Sequence, residues 1–298
     1  MTITTELQNA HTLTPPLTPP LLALKDANAT IKSPPSKPPV DILRKVLTIT
    51  DGRDKALKLI QYFIKIILHH GLISKKRSIY ASLAALASNF STTRKIIRLG
   101  HIIEPAAELY NIAYTSPKKL PKTSKERISS YLRILGLVFG LGNDLADDIF
   151  CLSKINVLPA SWAKKAEPWS YRCWFSAILI DSHFMIRDIL VQKARMSEWQ
   201  RVHALSKSKE LEGNHDRNTL YDELCWINNS DRANLVQEWK DMEDKLFWLR
   251  LSLVKTMMDG GFCGYDLFHC QFSAGFQAWT GFVSGVLSAY KLWCKNSK

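Results

Sequence analysis

The sequence lacks the residue spacings that mark common metal, nucleotide and hydrolase sites. Its six cysteines form no CxxC pair, and its eight histidines do not lie near them at zinc-finger spacing. It contains no GxSxG motif, no P-loop and no GxGxxG fingerprint. We therefore expect no metal ion, no cofactor and no catalytic residue, and the unpaired cysteines indicate a reducing compartment.

Acidic residues are missing from the stretch between Lys65 and Ile103. From Lys65 to Arg133 there are 13 Lys and Arg against 3 Glu, a local balance of +10 in a chain of formal net charge +13. Such a basic block predicts an acidic partner, which could be phospholipid headgroups, nucleic acid or an acidic protein. No helix-turn-helix or zinc pattern accompanies the block, so we expect no nucleic-acid partner.

Long uncharged runs are scarce, and the mean hydropathy is −0.11. One run, Leu267–Tyr290, has 24 residues without Lys, Arg, Asp or Glu. We predict a C-terminal hydrophobic helix there as the best candidate for a transmembrane segment, with a buried helix of a soluble bundle as the alternative. Gly281, Gly285 and Ala289 recur every four residues and place small residues on one face, which predicts self-association into a homo-oligomer.

No segment shows the alternating pattern of a strand, so the predicted fold class is all-α. Met1–Val40 holds eight of the thirteen prolines and is predicted to be a disordered tail. Residues 41–298 are predicted to form one membrane-associated helical domain. Within it the polar stretch Gln192–Arg232 is interpreted as an aqueous, loop-prone insert, Pro159–Pro168 as a break, and Pro105 as the start of a helix that reaches Tyr114.

The stretch Ser74–Pro105 organises the rest of the chain, because at about 100° per residue it is a strongly amphipathic helix. Its two faces differ in chemistry. Basic side chains share one side, namely Arg94, Lys95, Arg98 and His101, whereas the apolar side carries Leu83, Leu86, Phe90, Ile96, Leu99 and Ile103.

A basic rim beside an apolar stripe is typical of a helix that lies on an anionic membrane. The predicted membrane contacts are therefore the cations Arg94, Lys95 and Arg98, together with the six apolar residues of the stripe. Most amphipathic helices face a protein core instead, so a basic surface helix packed on that core is the alternative.

Two acidic clusters are the main candidates for catalysis. Asp144, Asp147 and Asp148 share a helix face and could hold magnesium and a diphosphate. A second cluster, Asp241, Glu243 and Asp244, would have to converge with the first across a bundle, as in all-helical prenyl-transfer enzymes. The alternative is a solvated or capping helix face, and we favour it.

Three stretches in this order resemble the peroxin-11 family of peroxisomal membrane proteins. They are Gly52–Ile67, Leu86–Pro105 and Asp147–Leu158, followed by the glycine-rich hydrophobic segment near the C-terminus. The second is the most specific, because its small-residue run leads into Arg-Lys and then Arg-Leu-Gly. The similar region spans roughly residues 42–293.

The resemblance implies a protein of the peroxisomal membrane that acts in peroxisome elongation, fission and proliferation. It also implies self-association, partnership with dynamin-related GTPases and their tail-anchored receptors, and a membrane-bending helix at Ile79–Ile103. No catalytic residue is implied. Two other classes stay open: a peroxisomal channel for small metabolites, and a soluble helical scaffold or prenyl-transfer-like enzyme that uses the Asp144 cluster.

Overall fold

The structure is a computed structural model that describes residues 38–115, 123–212, 229–269 and 273–297. Across these ranges the chain forms eight α-helices and no strand, which confirms the predicted all-α class. Residues 1–37 of the predicted tail lie outside the described part. The helices are α1 (Pro39–Thr48), α2 (Thr50–His69), α3 (Ser78–Ile97), α4 (Ile103–Thr115), α5 (Ser124–Lys154), α6 (Ala160–Glu212), α7 (Asn229–Leu267) and α8 (Ala274–Ser297).

The helices pack as a bundle in which consecutive long helices are neighbours. Helix α5 packs along α6, and α6 packs along α7. Helix α8 packs against both α7 and α2. Helix α3 packs on α2 and also contacts α5. Helix α2 therefore links the N-terminal helices to the long helices of the C-terminal half.

Helix α3 is shorter than the predicted amphipathic helix. It ends at Ile97, and Gly100 adopts a φ of 85°, in the left-handed region that favours glycine. The chain then turns, so Leu99 and Ile103 do not continue the axis of α3, and the expectation of one helix to Pro105 was wrong. Pro105 does lie in the first turn of α4, as predicted.

Helix α6 includes most of the predicted break at Pro159–Pro168 and continues into the predicted insert. It runs for 53 residues, about 80 Å, through Pro168 and on to Glu212, so residues 192–212 are helical and not loop. This stretch is rich in strong helix formers, and its first half packs on α7. Gln192 Nε2 donates to the Met242 carbonyl at 3.3 Å, and the rings of Trp199 and Trp239 lie 5.1 Å apart. Residues 213–228 of the predicted insert lie outside the described part.

The predicted C-terminal hydrophobic helix begins later than predicted, because Leu267 is the last residue of α7 and residues 274–290 lie in α8. Helix α7 ends at Leu267, His269 has a φ of 48°, and α8 begins at Ala274. None of the helices, within the ranges described, combines the length and the apolarity needed to cross a membrane.

Burial in this bundle departs from the usual pattern, because charged and polar side chains share the interior with the hydrophobic core. Asp54, Gln61 and Ser284 are at most 3% exposed, and Arg94 is 9% exposed. Large apolar side chains remain at the surface of every helix, including Phe63 at 53% and Tyr131 at 70%. Buried polar groups and exposed apolar surface are the informative departures from ordinary packing, and both point to function.

Candidate functional site

The buried ion pair between α3 and α2 is the first part of the site. Arg94 Nε donates to Asp54 Oδ1 at 2.9 Å, and Arg94 Nη1 donates to Gln61 Oε1 at 3.0 Å. Burial opposes ionisation of Asp54, but the nearby charges of Arg94, Lys55 and Arg98 outweigh it and hold the pKa of this carboxyl below its usual value. The predicted membrane cation Arg94 is thus a fully engaged interior group in this fold.

The other two predicted membrane cations also face carboxylates. Lys95 Nζ donates to Asp147 Oδ1 at 2.6 Å and lies 4.0 Å from the centroid of the Phe150 ring. Arg98 is more loosely placed, with contacts of 3.8 Å to Asp54 and 3.6 Å to Asp147. Its side chain is 40% exposed.

The first acidic cluster therefore docks α3 onto α5. Besides the Lys95 contact of Asp147, the Asp148 carboxylate accepts a hydrogen bond from the Gly100 backbone N–H at 3.2 Å and so fixes the turn after α3. Asp144 accepts from its neighbour Asn143. In the described part of the chain no three His, Cys, Asp or Glu residues are grouped as a metal site would require.

A second buried carboxylate joins three helices. Asp259 on α7 lies 3.2 Å from Lys58 Nζ of α2 and 3.1 Å from Lys255 Nζ, and it accepts a hydrogen bond from Ser284 of α8. Burial lowers the pKa of Lys58 to about 8, although Asp259 acts to raise it. Sequence reasoning missed this cluster, because its members lie up to 226 positions apart.

The two ionic clusters line one polar cavity of about 470 Å³ between α2, α3, α5, α6, α7 and α8. Seven Lys and Arg and five Asp and Glu contribute to its wall. Aromatic rings complete the wall. The centroid of the Phe262 ring lies 5.6 Å from that of Tyr62 and 6.1 Å from that of Trp174. Perturbed charges around a cavity of this size are typical of a functional site.

The apolar residues of the predicted stripe lie mostly at the surface. Leu86 is 39% exposed, Ile96 and Leu99 are each 46% exposed, and Ile103 is 70% exposed. Leu83 and Phe90 are half-buried on the side that meets the protein. Helix α3, the turn after it and the first residue of α4 thus keep exposed apolar side chains, which we call the apolar flank of α3 and define as Ile79, Leu86, Ile96, Leu99 and Ile103.

The small residues of α8 lie against α2 of the same chain. A methyl group at Gly281 would come 2.7 Å from Tyr62 Cε1, and one at Gly285 would come 3.3 Å from Leu59 Cδ2. Ala289 is half-buried. Self-association through this stripe stays a prediction, and it would require a second copy to displace α2.

Comparison with known proteins identifies the family. A family model of peroxisomal biogenesis factor 11 (PEX11) matches residues 40–293. The chain belongs to the PEX11 family. The match confirms the resemblance drawn from the sequence, and it covers nearly all of the chain outside the tail.

Individual relatives agree with this assignment. The chain is 25% identical to peroxisomal membrane protein PMP27 of Saccharomyces cerevisiae over 201 residues, which cover 63% of this chain and 79% of that protein. It is 33% identical to peroxisomal membrane protein 11A of Arabidopsis thaliana over 90 residues, which cover 30% of this chain and 36% of that protein. No solved structure matches the chain. This PEX11 protein is located in the peroxisomal membrane.

Proposed function

We propose that this PEX11 protein remodels the peroxisomal membrane, promoting its elongation and the fission and proliferation of peroxisomes, by inserting the apolar flank of α3 into one leaflet. The observation that carries the proposal is that this flank faces outward while α3 stays docked on α2 and α5. A helix that is buried about 5–10 Å in one leaflet expands it relative to the other, and the bilayer curves.

The energies favour insertion by the docked helix over release of its cations to headgroups. Breaking a buried ion pair such as Arg94–Asp54 by removing one partner costs about 3–5 kcal/mol. An anionic surface returns only about 1 kcal/mol per basic residue. The free energy gained from headgroup contacts of Arg94, Lys95 and Arg98 would therefore, at best, equal the free energy lost when these side chains leave their carboxylate partners.

Electrostatic attraction has another source just before the same helix. Lys75, Lys76 and Arg77 precede α3, are exposed, and form no ion pair among the described residues. They are free to meet anionic headgroups while the apolar flank enters the leaflet. We assign the salt-dependent part of membrane binding to these three residues.

The proposal predicts that serine at Ile79, Ile96 and Leu99 weakens binding of the full-length protein to anionic vesicles. Each half-exposed Ile or Leu gains about 1 kcal/mol on entering an apolar phase, so the triple change should lower affinity about 100-fold and abolish tubulation. Vesicle co-sedimentation and electron microscopy measure the two effects.

Its matched control carries serine at Leu190, Val191 and Val202, which are exposed to a similar degree on α6. This variant should bind and tubulate vesicles like the unchanged protein. Equal loss of binding in both variants, or no loss in the first, would contradict the assignment to α3.

A channel for small metabolites remains the second candidate, and the polar cavity is the observation that favours it. Conductance of the purified protein in planar bilayers separates a channel from a protein that only bends the membrane. Homo-oligomer formation and partnership with the fission GTPases and their receptors stay part of the proposal, carried by the family resemblance.

A further inference from the structure

Not all of the charged side chains that line the polar cavity form ion pairs with one another. Asp54 and Asp147 serve the α3 cations, and Asp259 serves Lys58 and Lys255. The lining residues Lys65, Glu167 and Asp266 form no ion pair among the described residues, although they face the same space. A cation and two carboxylates thus remain available to a bound molecule.

These three residues lie close to one another but leave a gap. Lys65 Nζ lies 5.1 Å from the centroid of the Tyr62 ring, and the Asp266 charge acts on it without an ion pair. Gln277 Nε2 donates to Asp266 Oδ2 at 2.7 Å, and the Tyr171 hydroxyl donates to Glu167 Oε1 at 3.5 Å. Hydrogen bonds from Gln277 and Tyr171 therefore hold the two carboxylates in place at the cavity wall.

The aromatic part of the wall fits a cation. Tyr62, Phe262 and Trp174 follow one another around the cavity at centroid separations of 5.6 and 6.1 Å. Ring faces of this kind attract ammonium and quaternary ammonium groups. A simple anion would meet Lys65 but would also face Glu167 and Asp266, whereas a molecule with both charges satisfies all three.

We propose that the cavity binds a phosphoester that carries an ammonium group, of the phosphoethanolamine or phosphocholine type. Its phosphate contacts Lys65, and its ammonium group lies against Trp174 and Phe262 and is balanced by Glu167 and Asp266. The ligand is either a water-soluble phosphoester or the headgroup of a zwitterionic phospholipid, which share this chemistry. The volume of about 470 Å³ suits a ligand of this class. The proposal does not depend on membrane insertion by α3.

Isothermal titration of the full-length protein in a phosphate-free detergent tests this site. The probes are phosphoethanolamine, phosphocholine, dihexanoyl phosphatidylethanolamine and inorganic phosphate. We expect the first three to bind and inorganic phosphate to bind at least about tenfold more weakly, because it lacks the ammonium contacts. If the short-chain lipid binds much more tightly than the two soluble phosphoesters, the natural ligand is a phospholipid headgroup. If the affinities are equal, the natural ligand is the soluble phosphoester.

Two variants and a control locate the binding. Lys65→Met should lower affinity about tenfold or more, since it removes a charge-assisted contact, and Trp174→Leu should lower it about fivefold. Lys193→Met, at an exposed position of α6 outside the cavity, should leave it unchanged. Lys65 is at the cavity wall and is not fully buried, so its variant carries the test if the Trp174 variant does not fold. The absence of binding by all probes, equal affinity for inorganic phosphate, or full affinity in Lys65→Met would overturn the proposal.

Discussion

Arg94 is buried in an ion pair with Asp54, although the helix pattern predicted that it contacts lipid headgroups. Sequence periodicity predicted Arg94, Lys95 and Arg98 on one side of a single helix and Ile96 and Leu99 on the other, but α3 ends at Ile97. It did not indicate which side faces the protein, because the carboxylates that decide this lie about 40 and 52 positions away in sequence. Local patterns carry no information on such long-range pairs, and contact of these cations with lipid headgroups stays a prediction.

Lys58 offers a test of the buried charges at the scale of one residue. Burial disfavours its ammonium form, so its pKa is about 8 in the fold and 10.5 in the unfolded chain. Unfolding therefore takes up a proton between these values, and the contribution of Lys58 makes stability rise with pH across this window. NMR titration of the ¹³Cε resonance of Lys58 should show a midpoint near pH 8.

The same titration in Asp259→Asn separates the two causes. Because the Asp259 charge raises the pKa of Lys58, its removal should move the midpoint below that of the unchanged protein. Surface lysines in the same sample should titrate near pH 10.4 and serve as internal controls. A Lys58 midpoint above pH 10 in the unchanged protein would show that this side chain is not buried as described.

At the scale of helices, composition and periodicity located most elements but not all of their ends. The sequence predicted a helix start at Pro105, which lies in the first turn of α4. It failed where tertiary contacts decide the outcome. The stretch after Gln192 was interpreted as loop from its charge, yet packing on α7 keeps it helical.

The close approach of α8 to α2 predicts a specific effect of a small substitution. Gly281→Ala would bring its methyl group within 2.7 Å of the Tyr62 ring, which has little room to move, and should destabilise the fold by about 1–3 kcal/mol. Thermal unfolding followed by circular dichroism measures this effect.

Gly140→Ala is the matched control for that experiment. Gly140 lies inside α5 with nothing within 4 Å of an added methyl group, so the change should stabilise the helix by about 0.5–1 kcal/mol. If Gly281→Ala instead leaves stability intact and changes the oligomeric state measured by light scattering, the glycine stripe of α8 serves self-association and not the packing on α2.

At the scale of the whole molecule, the buried polar groups and the exposed apolar side chains are related. Ionic clusters around Asp54 and Asp259 hold α2, α3, α5, α7 and α8 together, so apolar residues are free to face outward. This arrangement suits a protein whose surroundings include lipid, where ionisable groups face the bundle interior. The sequence indicated the family and the all-α class, whereas the interior follows from contacts that join distant parts of the chain.

The central claim is that α3 meets the membrane through its apolar flank while its cations stay paired inside the protein. The most direct test is vesicle binding by the full-length double variant Arg94→Met with Asp54→Leu. Replacing both members of a buried ion pair by apolar residues is often neutral for stability, and here it also removes a cation from α3. Because Arg94→Met also leaves the buried Gln61 Oε1 without its donor, we predict that the double variant is less stable by about 1–3 kcal/mol but binds anionic vesicles with an affinity within about twofold of the unchanged protein. A correctly folded double variant that binds these vesicles about fivefold more weakly, the loss of one headgroup contact, would contradict the account.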